Sequence, residues 1–107
     1  MRNHFSIFLL AFVFFMSTLQ VALAHKVNIF AYVEGNTVFT ESYFPDGKPV
    51  EGGVVEVQDQ KGVTLLEGKT DEKGLFHFSL PKKEDLTIIL NATMGHRNTF
   101  LLKGSEM

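Results

Sequence analysis

Val27-Asn28-Ile29-Phe30-Ala31-Tyr32-Val33 is followed by Glu34, by Gly35-Asn36, and by Thr37-Val38-Phe39-Thr40-Glu41-Ser42-Tyr43-Phe44. In the first run Val27, Ile29, Ala31 and Val33 fall on one face of an extended chain, the period-two pattern of a half-buried strand. The second run is rich in aromatic and β-branched residues, which suit a pleated surface. Gly35-Asn36 between them is a two-residue signal for a tight hairpin. With those two residues as the turn, Glu34 faces Thr37. The same register sets Phe30 against Glu41, Asn28 against Tyr43 and His25 against Asp46.

The rest of the chain repeats this grammar. Pro45-Asp46-Gly47-Lys48-Pro49 is a break. Val50 to Asp59 reads as a third strand, with Val55 and Val57 facing one way and Gly52-Gly53 as a bulge or bend inside it. Lys61-Gly62 turns into a fourth strand, Val63 to Lys69. Asp71-Glu72-Lys73-Gly74 turns into a fifth, Leu75 to Leu80, in which Phe76, Phe78 and Leu80 share a face. After a polar loop from Pro81 to Asp85, Leu86 to Ala92 is a sixth strand, with Leu86, Ile88, Leu90 and Ala92 aligned. Thr93 to Asn98 is a loop and Thr99 to Lys103 the last strand. No convincing helical period occurs after residue 24. About seven strands at spacings of roughly ten residues predict an all-β fold, a single antiparallel β-sandwich.

Ahead of the hairpin stands a different kind of segment. Met1-Arg2-Asn3-His4 is short and mildly positive, Phe5 to Met16 is almost wholly apolar, and the stretch ends Ala22-Leu23-Ala24. This is the pattern of a secretory signal peptide, expected to be helical and to be cut after Ala24; the alternative is an uncut anchor, since Phe5 to Ala24 is long enough to span a bilayer. The domain is then residues 25–107, and 83 of the 107 residues remain. That length allows one small domain. Loss of Arg2 leaves nine basic against twelve acidic residues, a net charge of −3 with histidines neutral. A mildly acidic chain without a basic cluster argues against nucleic acid. The chain has no cysteine, which excludes disulfides, a lipidated cysteine anchor and thiolate metal sites. No second apolar run of spanning length follows, so the expected location is extracytoplasmic or periplasmic, in solution after cleavage.

Cleavage after Ala24 gives His25 a special chemistry. Its α-amine and imidazole would offer two nitrogens to one ion and close a chelate ring. Such nitrogens suit Ni²⁺ and Cu²⁺, and both titrate near neutrality, so both can be deprotonated for binding. His96, in Met94-Gly95-His96-Arg97, is the candidate third nitrogen, with Gly95 permitting an unusual backbone angle. Met94 is either a soft thioether donor or, on the reading we prefer, a filler of the core. Asp46 and Glu41 are candidate oxygen ligands or orienting groups. Each residue also has a plainer reading. His25 and His96 can be solvated surface histidines, Asp46 a turn residue and Glu41 part of a wet sheet face. His77 alternates with Phe76 and Phe78 and so points away from the core. No Ser/His/Asp set, nucleophilic cysteine or phosphate-cradling glycine loop is present. The expectation is a protein that is not an enzyme and has no organic small-molecule substrate.

Two resemblances extend this reading. Gly47-Lys48-Pro49-Val50-Glu51-Gly52-Gly53-Val54-Val55-Glu56-Val57, with Gly68-Lys69-Thr70-Asp71-Glu72-Lys73-Gly74-Leu75-Phe76-His77-Phe78, resembles the carboxypeptidase regulatory-like, transthyretin-like sandwich. That module implies a fold and no activity. The stretches Ala24 to Gly35, Glu41 to Phe44 and Asn91 to Arg97 look like a small exported family that accompanies nickel and cobalt uptake transporters of the energy-coupling-factor type. This implies a nickel or cobalt ion, with copper as a variant, bound through His25 and His96. It also implies a membrane subunit of a metal transporter as partner. The alternatives are a metal-free sandwich serving as a structural or protein-interaction module, and a periplasmic copper carrier.

Overall fold

The first hairpin pairs in the register that its turn dictates. Glu34 lies opposite Thr37, Phe30 opposite Glu41 and Asn28 opposite Tyr43. Gly35 supplies the φ of +60° at the first turn position, which a type II′ turn requires. The computed structural model describes residues 26–107. The signal segment read over residues 1–24, its expected helix and His25 lie outside the described residues. Among the described residues no helix is long and apolar enough to cross a membrane.

The strands are β1 (Asn28–Glu34), β2 (Thr37–Tyr43), β3 (Val54–Gln58), β4 (Thr64–Lys69), β5 (Leu75–Ser79), β6 (Leu86–Asn91) and β7 (Arg97–Leu102). They form a three-stranded sheet, ordered β1-β2-β5, and a four-stranded sheet, ordered β4-β3-β6-β7. Every pairing is antiparallel. The inward faces share one core, with Ile29, Val38 and Phe78 from one sheet and Val57, Ile88 and Leu90 from the other. Alternating inward residues from two facing sheets are what hold a sandwich together.

Three local readings are corrected. The third strand begins at Val54, not Val50, because Gly52 at φ +67° leaves the extended region there. Val50 to Gly53 instead carries the chain from the first sheet to the second. The bend read at Gly52-Gly53 is present at Gly52 but lies ahead of β3 rather than inside it, and the register shift within β3 falls at Val57 and Gln58. The last strand starts at Arg97, two residues early, because Asn91 and Leu90 extend its ladder to Arg97 and Asn98.

A single threonine ties two of the three crossings between sheets. Thr70, 4% exposed, lies where the chain returns from β4 towards β5. Its backbone N–H donates to the Gly53 carbonyl at 2.9 Å, and its own carbonyl accepts from Gly52 N–H at 3.0 Å. Its hydroxyl accepts from Gly53 N–H at 2.9 Å and donates to the Val50 carbonyl at 2.5 Å. The glycines nearby make room. A Cβ on Gly68 would meet the Phe76 ring at 2.2 Å, and one on Gly53 would meet Val50 and Leu90 side chains at 2.8 and 2.9 Å.

Two turns, one within a hairpin and one between the sheets, use one device. In Asp59-Gln60-Lys61-Gly62-Val63 the Asp59 carboxylate accepts from the N–H groups of Lys61 and Val63. In Asp71-Glu72-Lys73-Gly74-Leu75 the Asp71 carboxylate accepts from Lys73 and Leu75. Asp59 also meets the Lys82 ammonium at 3.2 Å. Both carboxyls are held below their ordinary range. For Asp59 the main cause is the Val63 N–H, followed, against the opposing push of burial, by Lys82 and the Lys61 N–H. For Asp71 it is the Leu75 N–H, then, past the same opposing push, the Lys73 N–H. A carboxyl depressed in the folded state adds stability above its unfolded pKa and loses it as pH falls through the folded value. Stability measured by urea unfolding is therefore expected to hold from neutrality down to about pH 4 and then fall. Asp59→Asn and Asp71→Asn should each flatten that acid slope. An unchanged slope in both would remove these turns from the acid sensitivity.

Candidate metal centre

His96 sits at the end of a strained loop. Thr93–Gly95 forms a 3-10 turn between β6 and β7, closed by Ala92 N–H donating to the His96 carbonyl at 2.8 Å. Met94 is in the left-handed region, at φ 62° and ψ 31°, and Gly95 follows at φ +76°. Gly95 accepts that geometry freely, whereas for Met94 it costs on the order of 1 kcal/mol. Among the described residues Met94 is the non-glycine with positive φ. It is also 90% exposed, so the reading of Met94 as a core filler is wrong: the turn points it into solvent. The His96 ring is half-buried and stands edge-on to Phe44, with centroids 5.7 Å apart and planes at 72°. Phe44 follows β2, so the loop from the four-stranded sheet is seated against the end of the first hairpin.

The start of β1 comes to the same end. Val27 is fully buried, and its carbonyl accepts from the Asn98 side-chain amide at 2.7 Å. Lys26, Val27, Asn28, Arg97 and Asn98 line an open notch of about 400 Å³. Lys26 is the residue after His25 and Arg97 the residue after His96. Arg97 also lends its charge to Glu56 across the sheet, the smallest of the influences lowering that carboxyl; the Thr64 hydroxyl is the largest and the Gln58 amide the next.

Asp46 and Glu41 lie on the first hairpin and the turn that follows it. Asp46 is exposed in the turn after β2, and its carboxylate accepts from the Lys48 N–H at 3.0 Å. This is the turn role weighed for it. Glu41 is half-buried in β2, between Phe30 of β1 and Leu75 of β5. It lies on the outward face of the three-stranded sheet, whereas the His96 loop belongs to the other sheet. Among the described residues no group of three or more His, Cys, Asp or Glu side chains is arranged to hold an ion. His77 is exposed and points outward, as its alternation predicts.

Lys26, Arg97 and Asn98 were not anticipated as neighbours. Their meeting depends on how β1 and β7, each at an edge of its own sheet, close the same side of the sandwich. The strain at Met94 was announced only by Gly95 beside it.

A curated protein of Haemophilus influenzae, described only as uncharacterized, is 34% identical over 80 residues, covering 71% of this chain and 49% of its own length. The chain thus spans about half the length of the curated relative it matches. No family model matches the chain.

Proposed function

We propose that this is an exported metal-binding domain that captures or hands over a nickel or cobalt ion for an uptake transporter, using the amine and imidazole of His25 freed by cleavage after Ala24. The observation that carries the reading is the shared notch of Lys26 and Arg97, the chain neighbours of the two histidines. The Asn98–Val27 hydrogen bond holds those two segments together. The exposed thioether of Met94 on the same loop gives a copper ion an additional soft donor, so copper is the variant of this reading. Two histidines supply at most three nitrogens, and a membrane subunit of the transporter is the natural source of further ligands.

The test is a titration with Ni²⁺, Co²⁺ and Cu²⁺ of protein whose first residue mass spectrometry has shown to be His25. One residue added ahead of His25 removes the free amine, and His96→Ala removes the third nitrogen. Each is expected to weaken the preferred ion by at least about tenfold, since loss of a ligand exceeds the tenfold to hundredfold cost of losing its supporting hydrogen bond. Unchanged affinity in both variants would overturn the proposal.

A metal-free interaction module is the second reading. The outward face of the three-stranded sheet favours it.

A further inference from the structure

An antiparallel sheet with one face in the core ordinarily turns polar side chains outward. The three-stranded sheet adds exposed aromatic side chains to that polar set. With Ile29, Ala31, Val38 and Phe78 directed inward and buried, the alternate positions of β1, β2 and β5 face outward. There Tyr32, Phe39 and His77 lie in register across all three strands. The Tyr32 and Phe39 rings stack at 5.6 Å and 20°, and Phe39 and His77 lie 6.1 Å apart at 35°. The next outward row is Phe30, Glu41 and Leu75, of which Phe30 is 55% and Leu75 37% exposed. Between the rows is a depression of about 200 Å³, with Glu41 and Asp71 both contributing to its lining.

The charge of this face is one-sided. No lysine or arginine lines the depression, and the outward strand positions carry Glu34 and Glu41 against the single imidazole of His77. Among the described residues no ion pair engages Glu41. Aromatic faces attract cations, and a carboxylate within an apolar surround attracts them more strongly than one in open water. A second copy meeting the same face would set carboxylate against carboxylate, so charge disfavours self-association here.

We propose that this face docks a protein segment presenting an arginine or lysine between apolar side chains, with the cation over the Tyr32–Phe39 rings beside Glu41 and the flanking residues against Phe30 and Leu75. The surface is separate from the notch beside His96, and the proposal stands without any bound metal.

The test uses isotope-labelled protein with chelator present, followed by amide chemical shifts. The probes are the capped peptides Leu-Arg-Leu, Leu-Gln-Leu and Leu-Glu-Leu, with cellobiose as a stacking ligand that carries no charge. The arginine peptide is expected to shift amides of β1, β2 and β5 and to bind about tenfold more tightly than the glutamine peptide. Glu41→Gln should abolish that difference while leaving the melting temperature unchanged, and Phe39→Ala should weaken both peptides. Equal binding of all three peptides, shifts confined to other strands, preferential binding of cellobiose, or dimerisation through this face in sedimentation would each overturn it.

Discussion

Gly74→Ala is expected to destabilise the domain by about 3 kcal/mol and to lower its melting temperature by more than about 10 °C. Two penalties act together. Gly74 has φ +75°, a region that costs an alanine roughly 1–2 kcal/mol. An added Cβ would also lie 2.3 Å from the Ser42 carbonyl oxygen and 3.1 Å from the Val50 nitrogen. Those are backbone atoms, so they cannot swing aside. The closeness has a cause: Ser42 N–H donates to the Gly74 carbonyl at 2.9 Å, and Val50 N–H donates to the Ser42 carbonyl at 3.0 Å. Backing away breaks the bonds that seat the turn against β2. The sister turn provides the control. Gly62 has φ +78° but nothing within 4 Å of its Cβ position, so Gly62→Ala should cost only about 1 kcal/mol. Denaturant unfolding of both variants separates conformational strain from collision, and equal losses would show that the collision is absent.

Thr70→Val is expected to cost about 2–4 kcal/mol although it nearly preserves shape and is a small change in a mostly apolar interior. The hydroxyl both accepts from Gly53 N–H and donates to the Val50 carbonyl, and each buried partner left alone costs roughly 1–3 kcal/mol. The backbone of Thr70 would still bond Gly52 and Gly53, which sets the upper bound. Thr70→Ser keeps the hydroxyl and loses one methyl, so it should cost about 1 kcal/mol. If valine proved as harmless as serine, the two crossings would be held by backbone pairing and packing alone.

These two residues also explain why so much of the fold could be read from the chain. In Gly68-Lys69-Thr70-Asp71-Glu72-Lys73-Gly74-Leu75-Phe76 the residue types answer to distinct physical needs: space for a ring at Gly68, a double hydrogen bond at Thr70, a turn acceptor at Asp71 and a left-handed close approach at Gly74. The hairpin register was legible for a similar reason, since Gly35-Asn36 leaves little choice of pairing. What alternation could not reveal was the outward aromatic surface. Phe30, Tyr32, Phe39 and Tyr43 share the outward positions with Asn28, Glu34, Thr37 and Glu41, while Thr40 and Ser42 face inward, so the contrast that marks a solvent side is blurred. Met94 misled because an apolar side chain says nothing of the backbone that aims it. The neighbours of the candidate metal centre were hidden most deeply. Lys26 and Arg97 are far apart in the chain, and neither has a local partner whose spacing points to the other.

The hydrogen bond from Asn98 to Val27 spans 71 positions of sequence. During synthesis β1 and β2 can close as a hairpin almost as soon as they emerge, but the residue that fastens the beginning of β1 is made 71 positions later. Whatever the starts of β1 and β7 do together is therefore withheld from a chain that has not yet reached Asn98. A chain caught before β7 is complete would hold its hairpin and lack its grip on the start of β1. The notch that Lys26 shares with Arg97 is, on this ordering, among the last features of the sandwich to form.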